Sequence, residues 1–121
     1  MTKRRAWRVT GIAVVAFALA LLITWLVIRP PLIEVNGRQV EARIKGDGTP
    51  TVVFELGASG GNLAYWRVQN AVAKRANTIV YERAGLGRSS QGEEPRSAEV
   101  IARELHELLE ATGHSPPYVL V

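Results

Sequence analysis

The longest apolar stretch of the chain lies near its amino terminus. Residues 9–28 carry no charged side chain and are flanked by Arg8 and Arg29. At about 1.5 Å of rise per residue, a helix of this length crosses the roughly 30 Å hydrocarbon core of a bilayer. Only Thr10 and Thr24 add polarity to the stretch, so it lacks the polar face of a soluble amphipathic helix. The pattern predicts a transmembrane helix over residues 9–28.

The charges at the two ends of this stretch predict its orientation. Four basic residues precede it and one follows at once, and cytoplasmic flanks are enriched in Lys and Arg. We therefore expect residues 1–8 to form a basic cytoplasmic tail, residues 9–28 a single-pass signal anchor, and the domain to lie outside the cytoplasm. Ala18-Leu19-Ala20 also fits a signal peptidase site, so secretion after cleavage is the alternative, although cleavage there would leave an apolar new terminus.

A β-hairpin is predicted directly after the apolar stretch. Pro30-Pro31 disfavours a continuing helix, and residues 29–33 are interpreted as a linker. Residues 32–35 and 38–45 then flank Asn36-Gly37. Because a type I′ turn needs positive φ at both central positions, Asn-Gly between two such runs is the strongest short hairpin signal.

Beyond the hairpin, three short apolar runs alternate with two helical patterns. Residues 51–54, 78–81 and 118–121 resemble strands buried on both faces of a sheet. Strands alternating with helices predict an α/β fold, in which a β-hairpin is followed by parallel strands joined by right-handed crossover helices.

The sequence predicts the second of the two intervening helices more clearly than the first. The first is expected to begin at Asn62 as its N-cap and to end near residues 74–75, with imperfect helical spacing of its apolar positions. The second has Ser97 as its N-cap and Gly113 as its left-handed stop. Its predicted buried face consists of Ile101, Leu105, Leu108, Leu109 and Thr112.

Composition narrows the range of functions. The net charge is +4, and the four basic residues of the amino-terminal tail, Lys3, Arg4, Arg5 and Arg8, account for all of it. The remainder of the chain is neutral overall, so no nucleic-acid partner is expected. The absence of cysteine excludes disulfides, thiolate zinc sites and a cysteine nucleophile, and we expect no metal or cofactor.

A first glycine-bearing loop, residues 57–61, lies between a predicted strand and a predicted helix. Backbone N–H groups in such a loop suit an anion or a developing oxyanion. A phosphate-binding loop would end in Gly-Lys-Ser or Gly-Lys-Thr, whereas Gly61 is followed by Asn62 and Leu63. The simpler alternative is that these glycines only permit a tight turn.

A second glycine-bearing loop includes Gly85 and Gly87. It resembles a dinucleotide-binding fingerprint but lacks the third small residue, and residues 91–95 cannot form the helix that a pyrophosphate needs. Glu82 and Arg83, which precede the loop, are expected to pair with each other or with the loop.

Gly113-His114-Ser115 superficially resembles a nucleophile elbow. The elbow must follow a strand and place glycine two residues after the serine, but this segment precedes a strand and has Pro117 there. We expect His114 to lie at the carboxyl end of a helix, where an imidazolium is mildly favoured, and His106 to lie on the surface.

Three segments in this order resemble the amino-terminal part of an α/β-hydrolase, over residues 34–121. They are Thr-Val-Val-Phe-Glu-Leu-Gly-Ala-Ser-Gly-Gly from residue 51, Ile-Val-Tyr-Glu-Arg-Ala-Gly-Leu-Gly-Arg-Ser from residue 79, and Pro-Tyr-Val-Leu-Val from residue 117. The sequence is closest to the branch with Glu55-Leu56-Gly57 in place of the usual His-Gly. Glu82 stands where that family more often has Asp.

The resemblance implies roles for both loops. In such enzymes the residue after the glycine, here Ala58, donates its backbone N–H to the oxyanion hole. Gly57, Ser59 and Gly60 belong to the same site-wall loop, and Gly85 and Gly87 belong to a second loop that shapes the wall of the site. The nucleophile elbow would follow residues 118–121, and the acid and histidine would follow later. None of the three is identified here, so we expect a truncated domain that is inactive alone.

Three functions remain open. The first is a membrane-anchored α/β-hydrolase whose full-length relatives hydrolyse ester or amide-like substrates through a serine; its partners are the lipid bilayer and, if the missing half is present, a small-molecule substrate. The second is a non-catalytic, membrane-tethered interaction protein or remnant that pairs with a partner at an open sheet edge. The third, less favoured, is a nucleotide or phosphate binder.

Overall fold

The computed structural model of the protein describes residues 3–57 and 61–121. Its elements follow the order of the chain and comprise α1 (Lys3–Ile28), β1 (Leu32–Val35), β2 (Arg38–Lys45), β3 (Thr51–Glu55), a 3-10 helix (Asn62–Tyr65), α2 (Trp66–Val72), β4 (Asn77–Tyr81), α3 (Ala98–Ala111) and β5 (Tyr118–Leu120).

The amino-terminal helix α1 extends further than the apolar stretch predicts, because it begins among the basic residues at Lys3. Within it, Thr10–Ile28 is long and apolar enough to cross a membrane, and none of that segment is buried against the rest of the chain. A signal sequence has the same length and composition near an amino terminus. The helix is therefore a membrane-span candidate by length and composition.

The predicted hairpin is confirmed. Strands β1 and β2 are antiparallel, and Val35 lies opposite Arg38 in their register. The two residues between them, Asn36 and Gly37, have φ values of 50° and 78°, as the type I′ turn requires. Local turn chemistry thus fixes the register of the hairpin.

The five strands form one mixed sheet in the order β1-β2-β4-β3-β5. Strand β2 is antiparallel to β4, whereas β3 is parallel to both β4 and β5. In the β3–β4 register Glu55 lies opposite Tyr81, so the carboxyl ends of both strands meet at one edge of the sheet. This confirms the α/β class and the predicted hairpin followed by parallel strands.

Apolar side chains pack on both faces of the sheet. On the α3 face the core contains Val35, Val40, Ala42, Val53, Ile79, Tyr81, Leu108 and Leu109. On the α2 face it contains Phe54, Leu56 and Val80. Successive strand residues point to opposite faces, so both sets come from the same short runs. Burial on both faces explains their continuous apolar character.

The helix α2 differs from its prediction. Asn62 opens a 3-10 helix, and the α-helix begins only at Trp66, with Tyr65 as its N-cap and no side-chain cap hydrogen bond. It ends at Val72 rather than near residues 74–75. Its buried residue is polar, because Gln69, 1% exposed, donates from Nε2 to the Arg43 carbonyl at 2.8 Å. The burial of this amide is satisfied by its hydrogen bond.

The helix α3 follows its prediction closely. The hydroxyl of Ser97 accepts a hydrogen bond from the Val100 N–H at 3.3 Å, and Gly113 has a φ of 72°. Leu108 and Leu109 are buried as expected, and Val100 is buried in addition. This helix could be predicted from the sequence because it has clear capping residues and a regular apolar face.

Candidate active-site edge

A polar cluster ties together the carboxyl ends of β3 and β4. The Tyr81 hydroxyl donates to Glu55 Oε2, and Arg83 Nε donates to Glu55 Oε1 at 2.5 Å. Burial, reinforced by the hydrogen bond to Glu55, raises the pKa of the Tyr81 phenol above its ordinary value of 10.0. The phenol is therefore a proton donor to the carboxylate, and the three side chains hold the last residue of β3 in place.

This cluster corrects the expectation for Arg83. The sequence suggested a pair with its neighbour Glu82 or with the following loop, but Arg83 forms an ion pair with Glu55. Adjacent residues of an extended segment point in opposite directions, whereas Glu55 and Tyr81 are brought side by side by the parallel register. Because the pairing joins residues 28 positions apart, no pattern of neighbouring residues predicts it.

The predicted oxyanion loop begins directly beyond this cluster. Leu56 is 1% exposed and packs with Phe54 and Val80, while Gly57 is exposed and a Cβ there would meet no atom of residues 3–57 or 61–121 within 4 Å. The loop residues Ala58, Ser59 and Gly60 lie outside the described residues.

The described chain resumes at Gly61 with a fixed turn. The Gly61 carbonyl accepts a hydrogen bond from the Ala64 N–H at 2.9 Å. A Cβ on Gly61 would lie 3.8 Å from Glu82 Oε1. The predicted oxyanion loop is thus flanked by an anchored strand end on one side and by a hydrogen-bonded turn next to Glu82 on the other.

In the second predicted loop, residues 84–89, three backbone amides donate to carbonyls of the same turn. Gly85 N–H donates to Ser90 O at 2.9 Å, Leu86 N–H to Arg83 O at 2.9 Å, and Ser89 N–H to Leu86 O at 3.0 Å. Amides that are already paired cannot cradle a phosphate. The glycines instead serve the turn, because Gly85 and Gly87 have φ values of 81° and 53°.

Two buried carboxylates lie beneath this second loop. Glu41 is 8% and Glu82 is 5% exposed, and Glu41 Oε2 accepts the Arg88 N–H at 2.8 Å. A Cβ on Gly87 would lie 2.8 Å from Glu41 Oε2 and 2.9 Å from Glu82 Cγ. The glycine therefore lets the loop backbone lie against both side chains.

Ser89 joins the loop to the sheet. Its hydroxyl donates to the Glu82 carbonyl at 2.8 Å and accepts the Glu41 N–H at 2.9 Å. Ser90 extends the pairing, because its N–H donates to the Gln39 carbonyl at 2.8 Å. Sequence reasoning missed the burial of Glu41, because Glu41 alternates with the apolar residues Val40, Ala42 and Ile44, a pattern that usually places the charged residues of a strand towards solvent.

The two histidines lie away from this edge. His114 follows α3, at the end of the sheet where β5 begins, and its Nδ1 is 2.7 Å from Thr112 Oγ1. Burial lowers the pKa of His114, so the expectation of a favoured imidazolium was wrong. His106 is exposed as predicted, with Nε2 3.2 Å from Glu110. Within residues 3–57 and 61–121, neither ring contacts a serine hydroxyl.

The part of the chain that the structure describes contains no group of three or more His, Asp or Glu side chains placed to hold a metal ion.

Known proteins similar to this chain include hydrolases. RutD of Azorhizobium caulinodans, named as a candidate carbamate hydrolase, is 39% identical over 77 residues, which make up 63% of this chain and 28% of RutD. An AB hydrolase superfamily protein of Gibberella zeae is 34% identical over 73 residues, or 60% of this chain and 23% of that protein. No family model matches the chain.

Solved structures resolve the question of fold. The enol-lactonase from Burkholderia xenovorans LB400 matches 75% of this chain with a TM-score of 0.64 at 19% identity, over 36% of its own length. An alpha/beta hydrolase from Sphaerobacter thermophilus matches 74% with a TM-score of 0.60 at 22% identity, over 35% of its length. The chain carries part of the α/β-hydrolase fold.

The matched segments span 28% of RutD and 23% of the Gibberella protein, so this chain corresponds to less than a third of each. In open α/β sheets ligands bind beyond the carboxyl ends of the parallel strands. In this chain the carboxyl ends of the parallel strands β3 and β4 lie at Glu55 and Tyr81. The loop over residues 84–89 follows β4 along the chain. The described ends of the two sequence-predicted loops thus lie at the end of the sheet where ligands bind in open α/β folds.

Proposed function

We propose that the chain is a membrane-anchored member of the α/β-hydrolases and contributes the oxyanion side of a serine hydrolase site. The observation that carries the proposal is the position of Glu82 between the two loops. Its carboxyl Oε1 lies 3.8 Å from the Cβ position of Gly61, and its Cγ lies 2.9 Å from that of Gly87. Both loops therefore border one site.

In this proposal Ala58 supplies a backbone N–H to the developing oxyanion. The donor must be fixed before reaction, because preorganised hydrogen bonds stabilise the charge without rearrangement. The cluster of Glu55, Tyr81 and Arg83 fixes the strand end three residues upstream. Loss of one such donor typically costs about 10²- to 10³-fold in rate.

The proposed substrate class is an ester or amide-like carbonyl compound. The name of RutD refers to a carbamate and that of the Burkholderia enzyme to an enol-lactone, and both contain a carbonyl carbon that an activated serine can attack. A tetrahedral intermediate with a negative oxygen would form at the same edge of the sheet.

The serine and its base are proposed to come from residues other than those described. Across residues 3–57 and 61–121 no serine hydroxyl is paired with a histidine, and nucleophilic attack by serine needs such a base. We therefore propose that the 121-residue chain does not hydrolyse substrate alone.

Reading the coding DNA beyond codon 121 tests this proposal. An in-frame or frameshifted continuation that encodes Gly-x-Ser-x-Gly directly after Val121 would support it. Its absence would favour the interaction protein. A fluorophosphonate probe, which labels activated serines, should not label the 121-residue chain; labelling would contradict its proposed inactivity.

The second candidate function, a membrane-tethered interaction protein, is favoured by the exposure of β5. This strand pairs with β3 at the end of the strand order. Val119, Leu120 and Val121 are 44%, 63% and 62% exposed. An exposed apolar edge strand is a template for pairing with another segment, and cross-linking of the full chain in its membrane would identify such a partner.

Membrane anchoring with a cytoplasmic amino terminus is also proposed. The charge-free length of Thr10–Ile28 supports it, as do the basic residues before it. The mass of the mature protein separates an anchor from a cleaved leader, since cleavage after Ala20 would remove the first 20 residues. Protease added from outside should digest the domain and spare the tail.

A further inference from the structure

A cleft lies where the apolar helix meets the domain. It has a volume of about 420 Å³ and is lined by Val27, Ile28, Arg29, Pro31, Arg43, Lys45 and Trp66. This volume falls within the range of roughly 300–1000 Å³ that is typical of small-molecule sites. Its lining combines the last turn of α1 with residues of β2 and α2.

Two arginines of the domain fix the position of this junction. Arg43 Nη2 donates to the Ile28 carbonyl at 2.5 Å, and Arg88 Nη2 donates to the Pro30 carbonyl. These carbonyls belong to the end of α1 and the start of the linker, where intrahelical partners run out. The cleft is therefore held at the level of Ile28, which is the last residue of the apolar span.

The cleft carries concentrated positive charge. Arg29, Arg43 and Lys45 line it, and its lining contains no carboxylate. The Arg29 guanidinium lies 3.1 Å above the centre of the Trp25 ring, and Lys45 Nζ donates to Asn70 Oδ1 at 2.6 Å. Among the described ion pairs none joins these three cations to a carboxylate.

An exposed indole completes the cleft. Trp66 is 45% exposed on the first turn of α2, and indoles favour the headgroup region of a bilayer. If Ile28 marks the end of the span, Trp66 and the three cations lie at the depth of the lipid phosphates.

We propose that this cleft binds the headgroup phosphate of an anionic phospholipid from the leaflet adjoining the domain. Guanidinium and ammonium groups are the usual partners of phosphate in proteins, and each lysine or arginine near an anionic surface is worth about fivefold in binding. The site rests on the proposed membrane span and is independent of the proposed hydrolase chemistry. It would fix the height and tilt of the domain above the membrane.

The test uses the full chain in nanodiscs containing equal amounts of phosphatidylcholine and phosphatidylglycerol. Native mass spectrometry of the released chain counts the retained lipids. We expect phosphatidylglycerol to be enriched over phosphatidylcholine by about tenfold or more. The double variant Arg29→Gln, Lys45→Gln should lose most of this enrichment, whereas Lys45→Arg alone should keep it.

A matched control removes two positive charges elsewhere. Lys74 and Arg103 are exposed and do not line the cleft, so Lys74→Gln with Arg103→Gln should retain the enrichment. Equal loss in this control, or no enrichment in the wild type, would overturn the proposal. Circular dichroism checks that every variant remains folded.

Two further outcomes are informative. One distinguishes a lipid phosphate from free phosphate, and the other distinguishes failure of the proposed membrane span from failure of the proposed lipid site. Millimolar inorganic phosphate should not displace the retained lipid; displacement would show a site for free phosphate and contradict the lipid proposal. A chain that does not enter nanodiscs would overturn both the span and this site. Entry without lipid enrichment would overturn the site alone.

Discussion

Among single residues, Tyr81 makes the stability of the fold depend on pH. The folded state keeps its phenol protonated, because burial and the bond to Glu55 raise the Tyr81 pKa above 10.0. An unfolded chain releases this proton above about pH 10, so stability due to Tyr81 is present below that pH and is lost as the pH rises further. The loss should approach about 1.4 kcal/mol per pH unit.

Tyr81→Phe should therefore be less stable than the wild type at neutral pH, by roughly 1.5–3 kcal/mol, because a hydrogen bond to a carboxylate is lost. The gap between the two proteins should narrow above about pH 10. Thermal unfolding of the full chain in detergent, followed by circular dichroism from pH 7 to 11, measures both effects. A gap that stays constant with pH would contradict the role of Tyr81, and Tyr65→Phe is the matched control.

Gly87 is a second residue at which a substitution should clearly lower stability. Alanine there would adopt a φ of 53° and place its Cβ 2.8 Å from Glu41 Oε2. Gly87→Ala should destabilise the domain by roughly 1–3 kcal/mol, through left-handed strain and overpacking. Gly57→Ala is the control, because its Cβ would meet no atom within 4 Å in the described part of the chain. Equal unfolding temperatures for the two variants would show that the loop does not pack tightly on Glu41 and Glu82.

At the scale of elements, α3 depends on its N-cap. Removing the Ser97 hydroxyl leaves the Val100 N–H without its side-chain partner, and loss of such a cap costs about 1 kcal/mol. Ser97→Ala should lower the free energy of unfolding by that amount, while Ser115→Ala, at an exposed position after the helix, should change it little. A denaturant titration that ranks the two variants equally would contradict the capping assignment.

Elements with local signals were predictable from the sequence, and elements shaped by distant contacts were not. Asn36-Gly37 sets the hairpin, and Ser97 and Gly113 bound α3 through their own caps. At Asn62 the predicted start of α2 is a 3-10 helix instead, and the hydrogen bond from Gln69 to a carbonyl of β2 follows from no local pattern.

The same distinction applies to the candidate site. The two glycine-bearing loops could be found from their position after apolar runs. The tie from Arg83 to Glu55 and the burial of Glu41 depend on strand pairing and loop packing across the fold. Sequence separation of tens of residues hides such contacts from any local pattern.

For the molecule as a whole, the stability of the domain should depend on whether another segment covers the exposed edge strand β5. Leu120 and Val121 are 63% and 62% exposed at the sheet edge, and an uncovered apolar edge favours association. Residues 29–121 expressed without the apolar helix should aggregate or be cut rapidly by protease. A sharp cooperative thermal transition of a monomer in calorimetry would contradict this expectation.

Grafting residues 34–121 into RutD in place of its matched segment tests whether these residues form the oxyanion side of a hydrolase site. Activity of the graft is measured as hydrolysis of a p-nitrophenyl ester. Ala58→Pro removes the proposed N–H donor, whereas Ala58→Gly keeps it. We expect an active graft in which Ala58→Pro lowers kcat by about 10²- to 10³-fold with little change in KM, while Ala58→Gly stays near the parent. Equal kcat values for the two folded variants would show that Ala58 supplies no oxyanion donor.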